Sequence, residues 1–218
     1  VSATVKLFHG DCIELLPRMG WADAVVTDPP YGIGYRVNAR PPRGAMLKGI
    51  EATATAARGQ IEGDDKPFDP APFLAFRGLA FFGANHFARR LPNGGKWIVW
   101  DKRGDMRPDD HSDGELIWTN ASGALRIHRQ KWRGVVREGE ENCSRSKKLH
   151  PNQKPVALLT FIMAALGLAP GQTVMDPYMG SGSTGVAAVR LGLNFIGCEI
   201  DSGHFAMASK RLQAESAA

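Results

Sequence analysis

The chain has 218 residues, and its 27 Lys plus Arg outnumber 22 Asp plus Glu for a net charge of +5. Hydrophobic residues make up 43% and charged residues 22%, proportions that suit a soluble globular protein and exclude a disordered tail or a fibre. The length suits one domain of ordinary size or two very small ones, and the basic excess suits a partner built of phosphates without demanding one.

In chain order, residues 5 to 9 read as a strand ended by Gly10 and Asp11. Residues 12 to 19 carry apolar side chains at helical spacing, with Asp11 placed to cap them. Residues 24 to 27 form a second buried strand, stopped by Asp28-Pro29-Pro30. Residues 36 to 66, with Pro41-Pro42 and an Ala/Thr run, read as a long mobile insertion. Residues 71 to 91 are expected to be helical, with Pro70 and Pro72 near the start. Residues 96 to 100 form a strong strand; 116 to 118 and 125 to 128 form weaker ones. Residues 129 to 149 are polar and without clear period. The expectation then is a helix over 156 to 168, a strand over 173 to 175 and a helix over 184 to 191. A strand over 194 to 198 and a closing helix over 204 to 213 follow. Buried strands alternating with helices imply an α/β fold with a largely parallel sheet.

Cys12, Cys143 and Cys198 are far apart and odd in number, which points to a reducing compartment rather than a disulfide framework. No charged-then-apolar leader opens the chain and no apolar run is long enough for a bilayer, so a cytoplasmic location and no membrane partner are expected. His9, His86, His111, His128 and His204 are scattered, and no metal site is expected. Asn85-His86 reads as structural.

Three motifs carry chemistry. Asp28-Pro29-Pro30-Tyr31 follows a buried strand, at the sheet edge where α/β folds bind ligands. Two prolines remove two N–H donors and leave a carboxylate, carbonyl oxygens and an aromatic ring. Such a set suits a flat group bearing an NH₂, though a strand-ending turn would use the same residues. The run Asp176-Pro-Tyr178-Met-Gly180-Ser181-Gly182-Ser183-Thr184-Gly185 lies between a strand and a helix and matches G-x-G-x-x-G. Its glycines allow close backbone approach to a ligand, and its helix start offers N–H groups to an anion. Glu199 ends the next strand, where an acidic residue accepts ribose hydroxyls. A dinucleotide site and an S-adenosylmethionine site share this layout. His150-Pro-Asn-Gln-Lys154-Pro155 sits at the mouth of the preceding helix, where Lys154 is placed to pair with a carboxylate.

Together these residues resemble the amino-group DNA methyltransferases, which methylate exocyclic nitrogens of adenine or cytosine. Asp28-Pro-Pro-Tyr31 resembles their catalytic tetrapeptide. Asp176-Pro-Tyr-Met-Gly-Ser-Gly182 resembles their cofactor loop, with Tyr178 for the usual Phe and Ser183 where Thr is common. His150-Pro-Asn-Gln-Lys-Pro155 resembles their H-P-x-x-K-P, and Gly10-Asp11-Cys12 their G-D-C segment near the cofactor adenine. The order of motifs is the circularly permuted one of the family's β group, and the short length is nearest to phage and prophage adenine enzymes.

The resemblance implies a single Rossmann-like methyltransferase domain over residues 1–218. It implies S-adenosyl-L-methionine as methyl donor and S-adenosylhomocysteine as product. Catalytic roles fall on Asp28, Pro29, Pro30 and Tyr31. Cofactor-binding roles fall on Asp11, Cys12, Asp28, His150, Lys154, Asp176, Tyr178, Gly180, Ser181, Gly182, Ser183, Thr184 and Glu199. The target base must be flipped out of double-stranded DNA to be reached. Asp in the first position of the tetrapeptide favours adenine N6 over cytosine N4. No large target-recognition domain is visible, so residues 36 to 66 and 126 to 149 are expected to recognise DNA. Arg36, Arg40, Arg43 and Lys48 lie in the first segment; Arg126, Arg129, Lys131, Arg133, Arg145, Lys147 and Lys148 lie in the second. Trp132 in that second segment reads as buried packing more than as a wedge between bases. Dimers occur in the resembled group, so a homodimer is an expectation. The competing readings are an RNA or protein-glutamine methyltransferase, a NAD-dependent oxidoreductase using the glycine loop, and a DNA-binding protein without catalysis.

Overall fold

Eight strands join one sheet in the computed structural model, which describes residues 3–34, 63–107, 112–133, 136–139 and 153–217. The elements run β1 (Val5–His9), α1 (Cys12–Met19), β2 (Ala24–Thr27), β3 (Gly78–Phe82), β4 (Lys96–Asp101), β5 (Gly114–Thr119) and β6 (Arg126–Arg129). A two-stranded hairpin, β7 (Trp132–Arg133) and β8 (Val136–Arg137), comes next. Then follow α2 (Val156–Ala165), β9 (Thr173–Asp176), α3 (Ser183–Arg190), β10 (Asn194–Glu199) and α4 (Ser202–Ser216). The order across the sheet is β1-β10-β9-β2-β3-β5-β4-β6. Every neighbouring pair is parallel except those of β5, which runs against both β3 and β4.

The side-chain period of two sorts the core into two layers. Val26, Ala80, Phe82, Ile98, Trp100 and Val174 face α2, α3 and α4, where Leu158, Ile162, Val186 and Leu212 meet them. Val25, Leu79, Phe81, Met175 and Ile196 face the other way, onto Cys12 and Met19 of α1 and onto Phe68, Phe73 and Phe87. Both faces are covered, so β3 is apolar throughout and β2 and β9 turn polar only at their ends. Each such large side chain contributes about 1.5–3 kcal/mol on burial.

The helix expected over 71 to 91 is not formed. A short 3₁₀ turn (Ala71–Phe73) leads into β3, and two more turns, Ala84–His86 and Ala88–Arg90, follow it. A continuous apolar run such as Gly78-Leu-Ala-Phe-Phe82 carries no period that separates a buried strand from a helix. Parallel pairing with β2 decides it here. Of the other expected elements, β1, α1 and β2 have the expected ends and the rest shifted ones; α2, for example, stops at Ala165.

The parallel strands place their carboxyl ends along one edge. There Asp176, at the end of β9, is buried and accepts a hydrogen bond from the Thr27 hydroxyl of β2 at 2.7 Å and from the Tyr178 N–H at 3.1 Å. Burial pushes its carboxyl up from the ordinary 3.8 to about 6, against hydrogen bonds from Thr184 and Thr27 that lower it. The folded chain therefore holds this proton more tightly than the unfolded chain. The stabilisation is full below about pH 4 and is lost as pH rises through about 6. Urea unfolding of the wild type is expected to weaken by at most about 3 kcal/mol relative to Asp176→Asn across that window. A difference independent of pH would contradict this account.

Candidate active site

Asp28 follows the last residue of β2, and its carboxylate is gripped from two sides. Tyr31 donates its hydroxyl to Oδ1 at 2.5 Å, and the Lys154 ammonium lies 2.6 Å from Oδ2. Lys154 stands just before α2, at the Gln153-Lys154-Pro155 turn, and Pro155 caps that helix. Its side chain is only 12% exposed and lies 5.1 Å from the ring centre of Phe82. On its other side Glu115 Oε2 is 3.1 Å away, and Glu115 Oε1 takes the Lys102 ammonium. Burial alone lowers a lysine pKa. Asp28 and Glu115 outweigh it and hold Lys154 well above the ordinary value. Glu115, whose burial alone would raise its carboxyl, is held low by Lys154 and Lys102. Burial, followed by Asp28, pushes the Tyr31 phenol up.

The ring of Tyr31 stacks on His86, with centroids 5.1 Å apart and planes 15° from parallel. His86 is thus part of the site wall, where the sequence suggested only a structural helix residue. The approach requires glycine at position 83. Gly83 has φ +60, and a Cβ there would lie 2.2 Å from the Tyr31 ring. The backbone after Tyr31 is pinned by Asp64, which is buried. Its carboxylate accepts from the Gly32 N–H at 2.8 Å, and its carbonyl accepts from the Gly34 N–H at 3.0 Å.

Beside this pocket lies the glycine loop. Glu199, ending β10, accepts from the Gly180 N–H with Oε2 and from the Asp201 N–H with Oε1, both at 2.9 Å. Asp11 caps α1 by accepting from the Ile13 N–H at 2.7 Å, and the Gly10 N–H donates to the Glu199 carbonyl at 3.0 Å. Cys12 is buried and hydrogen-bonded to the Tyr178 hydroxyl; burial raises its thiol to about 11. Burial pushes the Tyr178 phenol up as well, and its ring packs edge-on against Phe68 and Phe73. Ser181, Ser183 and Thr184 are buried. Arg211 of α4 donates to the Ser181 carbonyl at 3.1 Å and to the Ser183 hydroxyl at 2.9 Å, bracing the loop from behind. Next to Gly180 the space is open, with no atom within 4 Å of where a Cβ would stand.

The carboxyl edge thus gathers Asp28, Pro29, Pro30, Tyr31, Lys154, the glycine loop, Asp11, Cys12 and Glu199. Lys154 points to the Asp28 carboxylate, and Asp176 is turned inward between β2 and β9. Arg129 ends β6 at the same edge, 69% exposed and 3.6 Å from Asp101. Lys131 is tied to Asp105 at 2.5 Å. Arg126 is exposed but begins β6, at the opposite end of the sheet. Arg133 belongs to β7. Trp132 packs on the core and donates its ring N–H to the Gln153 carbonyl at 3.0 Å. Arg36, Arg40, Arg43, Lys48, Arg145, Lys147, Lys148 and His150 lie outside the described residues. Among the described residues no cluster of His, Cys, Asp or Glu is arranged to hold a metal ion, and no helix is long and apolar enough to cross a membrane.

Glu115, Lys102, Asp64, His86 and Arg211 were not among the expected site residues. Each reaches the site by topology, from a strand, turn, loop or helix remote in sequence, and no local spacing signals it.

Known proteins resemble this chain in sequence and in fold. A model of the N6/N4 DNA methylase family matches residues 83–210, more than half of the chain. The type II methyltransferase M2.DpnII of Streptococcus pneumoniae is 32% identical over 131 residues, covering 55% of this chain and 42% of that protein. The type II methyltransferase M2.LlaDCHI of Lactococcus lactis subsp. cremoris is 31% identical over 127 residues, covering 53% and 40%. The matched region therefore spans less than half the length of these curated relatives. The crystal structure of the M1.HpyAVI–SAM complex superposes with a TM-score of 0.57 at 26% identity, over 96% of this chain and 100% of that one. Motifs, sheet order and the family match agree that this chain belongs to the N6/N4 DNA methylases.

Proposed function

We propose that this chain transfers a methyl group from S-adenosyl-L-methionine to the N6 amino group of an adenine flipped out of double-stranded DNA. The observation that carries the reading is the Asp28 carboxylate, held at the sheet edge by Lys154 with the Tyr31 ring beside it. Two prolines leave that edge rich in acceptors and poor in donors, the complement of an amino group.

The neighbouring pocket fits the methyl donor. Glu199 spends one lone pair of each oxygen on backbone N–H groups and keeps others for ribose hydroxyls. The open space at Gly180 gives the ligand room against the backbone, and α3 begins there with Gly182 at φ +75. Asp11, Cys12 and Tyr178 form the adjoining wall. When bound, the donor supplies a methyl already activated on a sulfonium, so no metal is required. M1.HpyAVI, which shares the fold, was solved with SAM, and this supports the assignment.

The chain's own work is positioning and electrostatics. The lone pair of the adenine amino nitrogen is delocalised into its ring. Asp28 and the Pro29 carbonyl accept the two N–H bonds and favour a tetrahedral nitrogen with its lone pair free. Tyr31, held by His86 and Gly83, offers a flat surface to the flipped base. As the methyl adds, positive charge develops on the nitrogen, and Asp28 faces that charge and the proton that must leave. Adenine is preferred because Asp stands first in the tetrapeptide. Arg129, exposed at the same edge, is the described cation best placed for a phosphate.

Incubation with labelled S-adenosylmethionine and unmethylated DNA, followed by nucleoside mass spectrometry, is expected to yield N6-methyladenine. N4-methylcytosine would move the assignment to cytosine, and no labelled nucleoside would overturn it. Asp28→Ala is expected to slow single-turnover transfer by about a thousandfold with donor affinity changed by less than about threefold. Retained turnover would remove Asp28 from its role.

A further inference from the structure

Beyond the tetrapeptide, an alternating row of charges runs from β4 to the site: Lys102, Glu115, Lys154, Asp28. Lys102 follows β4, Glu115 is the second residue of antiparallel β5, Lys154 precedes α2 and Asp28 follows β2. Three of the side chains are largely enclosed; Lys102 is 17% exposed, Glu115 22% and Lys154 12%. Lys154 meets Asp28 Oδ2 at 2.6 Å and Glu115 Oε2 at 3.1 Å. Glu115 is thus the second carboxylate on the Lys154 ammonium. It divides the charge of Lys154, and Lys102 in turn divides the charge of Glu115.

We propose that Glu115 is a positioning residue for methyl transfer: it shares the Lys154 ammonium with Asp28, and thereby sets how firmly the catalytic carboxylate is held. The inference rests on the functional reading above. Without Glu115, Lys154 keeps Asp28 as its one carboxylate among the described residues, and its buried charge is left half-compensated. Its ammonium then loses its proton at lower pH, because one of the two carboxylates that raise it is gone. Asp28 is released once Lys154 is neutral. Among the described residues, the charged and titratable groups facing this pair are Tyr31, Glu115 and, through Glu115, Lys102; Asp176 lies on the inner side of Asp28.

The test uses the full chain as wild type, Glu115→Gln, Glu115→Asp and Lys102→Gln. Single-turnover methyl transfer is followed across the alkaline range, and the Lys154 side chain is titrated by ¹³C NMR in the protein alone, assigned with Lys154→Arg. Glu115→Gln is expected to lower kcat about tenfold with KM values held within about threefold. Its activity limb and its Lys154 titration are both expected at lower pH than in the wild type. Lys102→Gln is expected to leave both at or above the wild-type position, since it frees the Glu115 charge for Lys154. Glu115→Asp is expected to restore part of the shift. An unmoved Lys154 titration in Glu115→Gln, or equal lowering in Glu115→Gln and Lys102→Gln, would overturn the proposal. A wild-type chain that methylates no DNA would overturn the functional reading instead, and the lysine titration in the free protein would still decide the coupling.

Discussion

A lysine ammonium buried between two carboxylates is the constraint around which this site is arranged. Taking that charge out of water costs several kcal/mol, and the cost is recovered only if both partners are in place. Asp28 and Glu115 are those partners, 2.6 and 3.1 Å away. Neither lies near Lys154 in sequence. The fold must bring the end of β2, the start of β5 and the approach to α2 to one point, and the sheet order does so. Strand β5 runs against its neighbours, so its first residues, not its last, reach the carboxyl edge. An all-parallel sheet would put Glu115 at the other end.

In the proposed function the same edge serves the methyl donor and the base by different chemistry. Around the glycine loop the groups are mostly committed to one another: Glu199 to Gly180, Arg211 to Ser181 and Ser183, Tyr178 to Cys12. Such a loop is preorganised, so little ordering is left to the binding step. Around Asp28 the arrangement is electrostatic, with two cations and two carboxylates in sequence. Asp176 links the halves, since its inward carboxylate ties Thr27, just before Asp28, to the start of the glycine loop.

The three chemical motifs were legible in the sequence because each abuts the end of an element, two a strand and the third the helix α2, where the chain places its residues locally. The fold class followed from the alternation of buried strands and helices. Strand β3 was not legible. Gly78 to Phe82 is apolar on both faces, which erases the period that marks a strand, and only pairing with β2 settles its form. Glu115 and Arg211 were invisible for another reason. In sequence each is an ordinary charge on a strand or helix, and its partner arrives through topology. Asp176, expected from its motif to hold the cofactor, has one oxygen bonded to Thr27 and Tyr178, and no local spacing announces those partners.

The central claim is that Lys154 serves the catalytic carboxylate. It is tested most directly by Lys154→Met, comparing the single-turnover rate of methyl transfer with calorimetric affinity for S-adenosylmethionine, on protein shown by its thermal melt to be folded. The account predicts a rate lowered by about a hundredfold with affinity changed by less than about threefold. Lost affinity with an undiminished rate at saturating donor would contradict it.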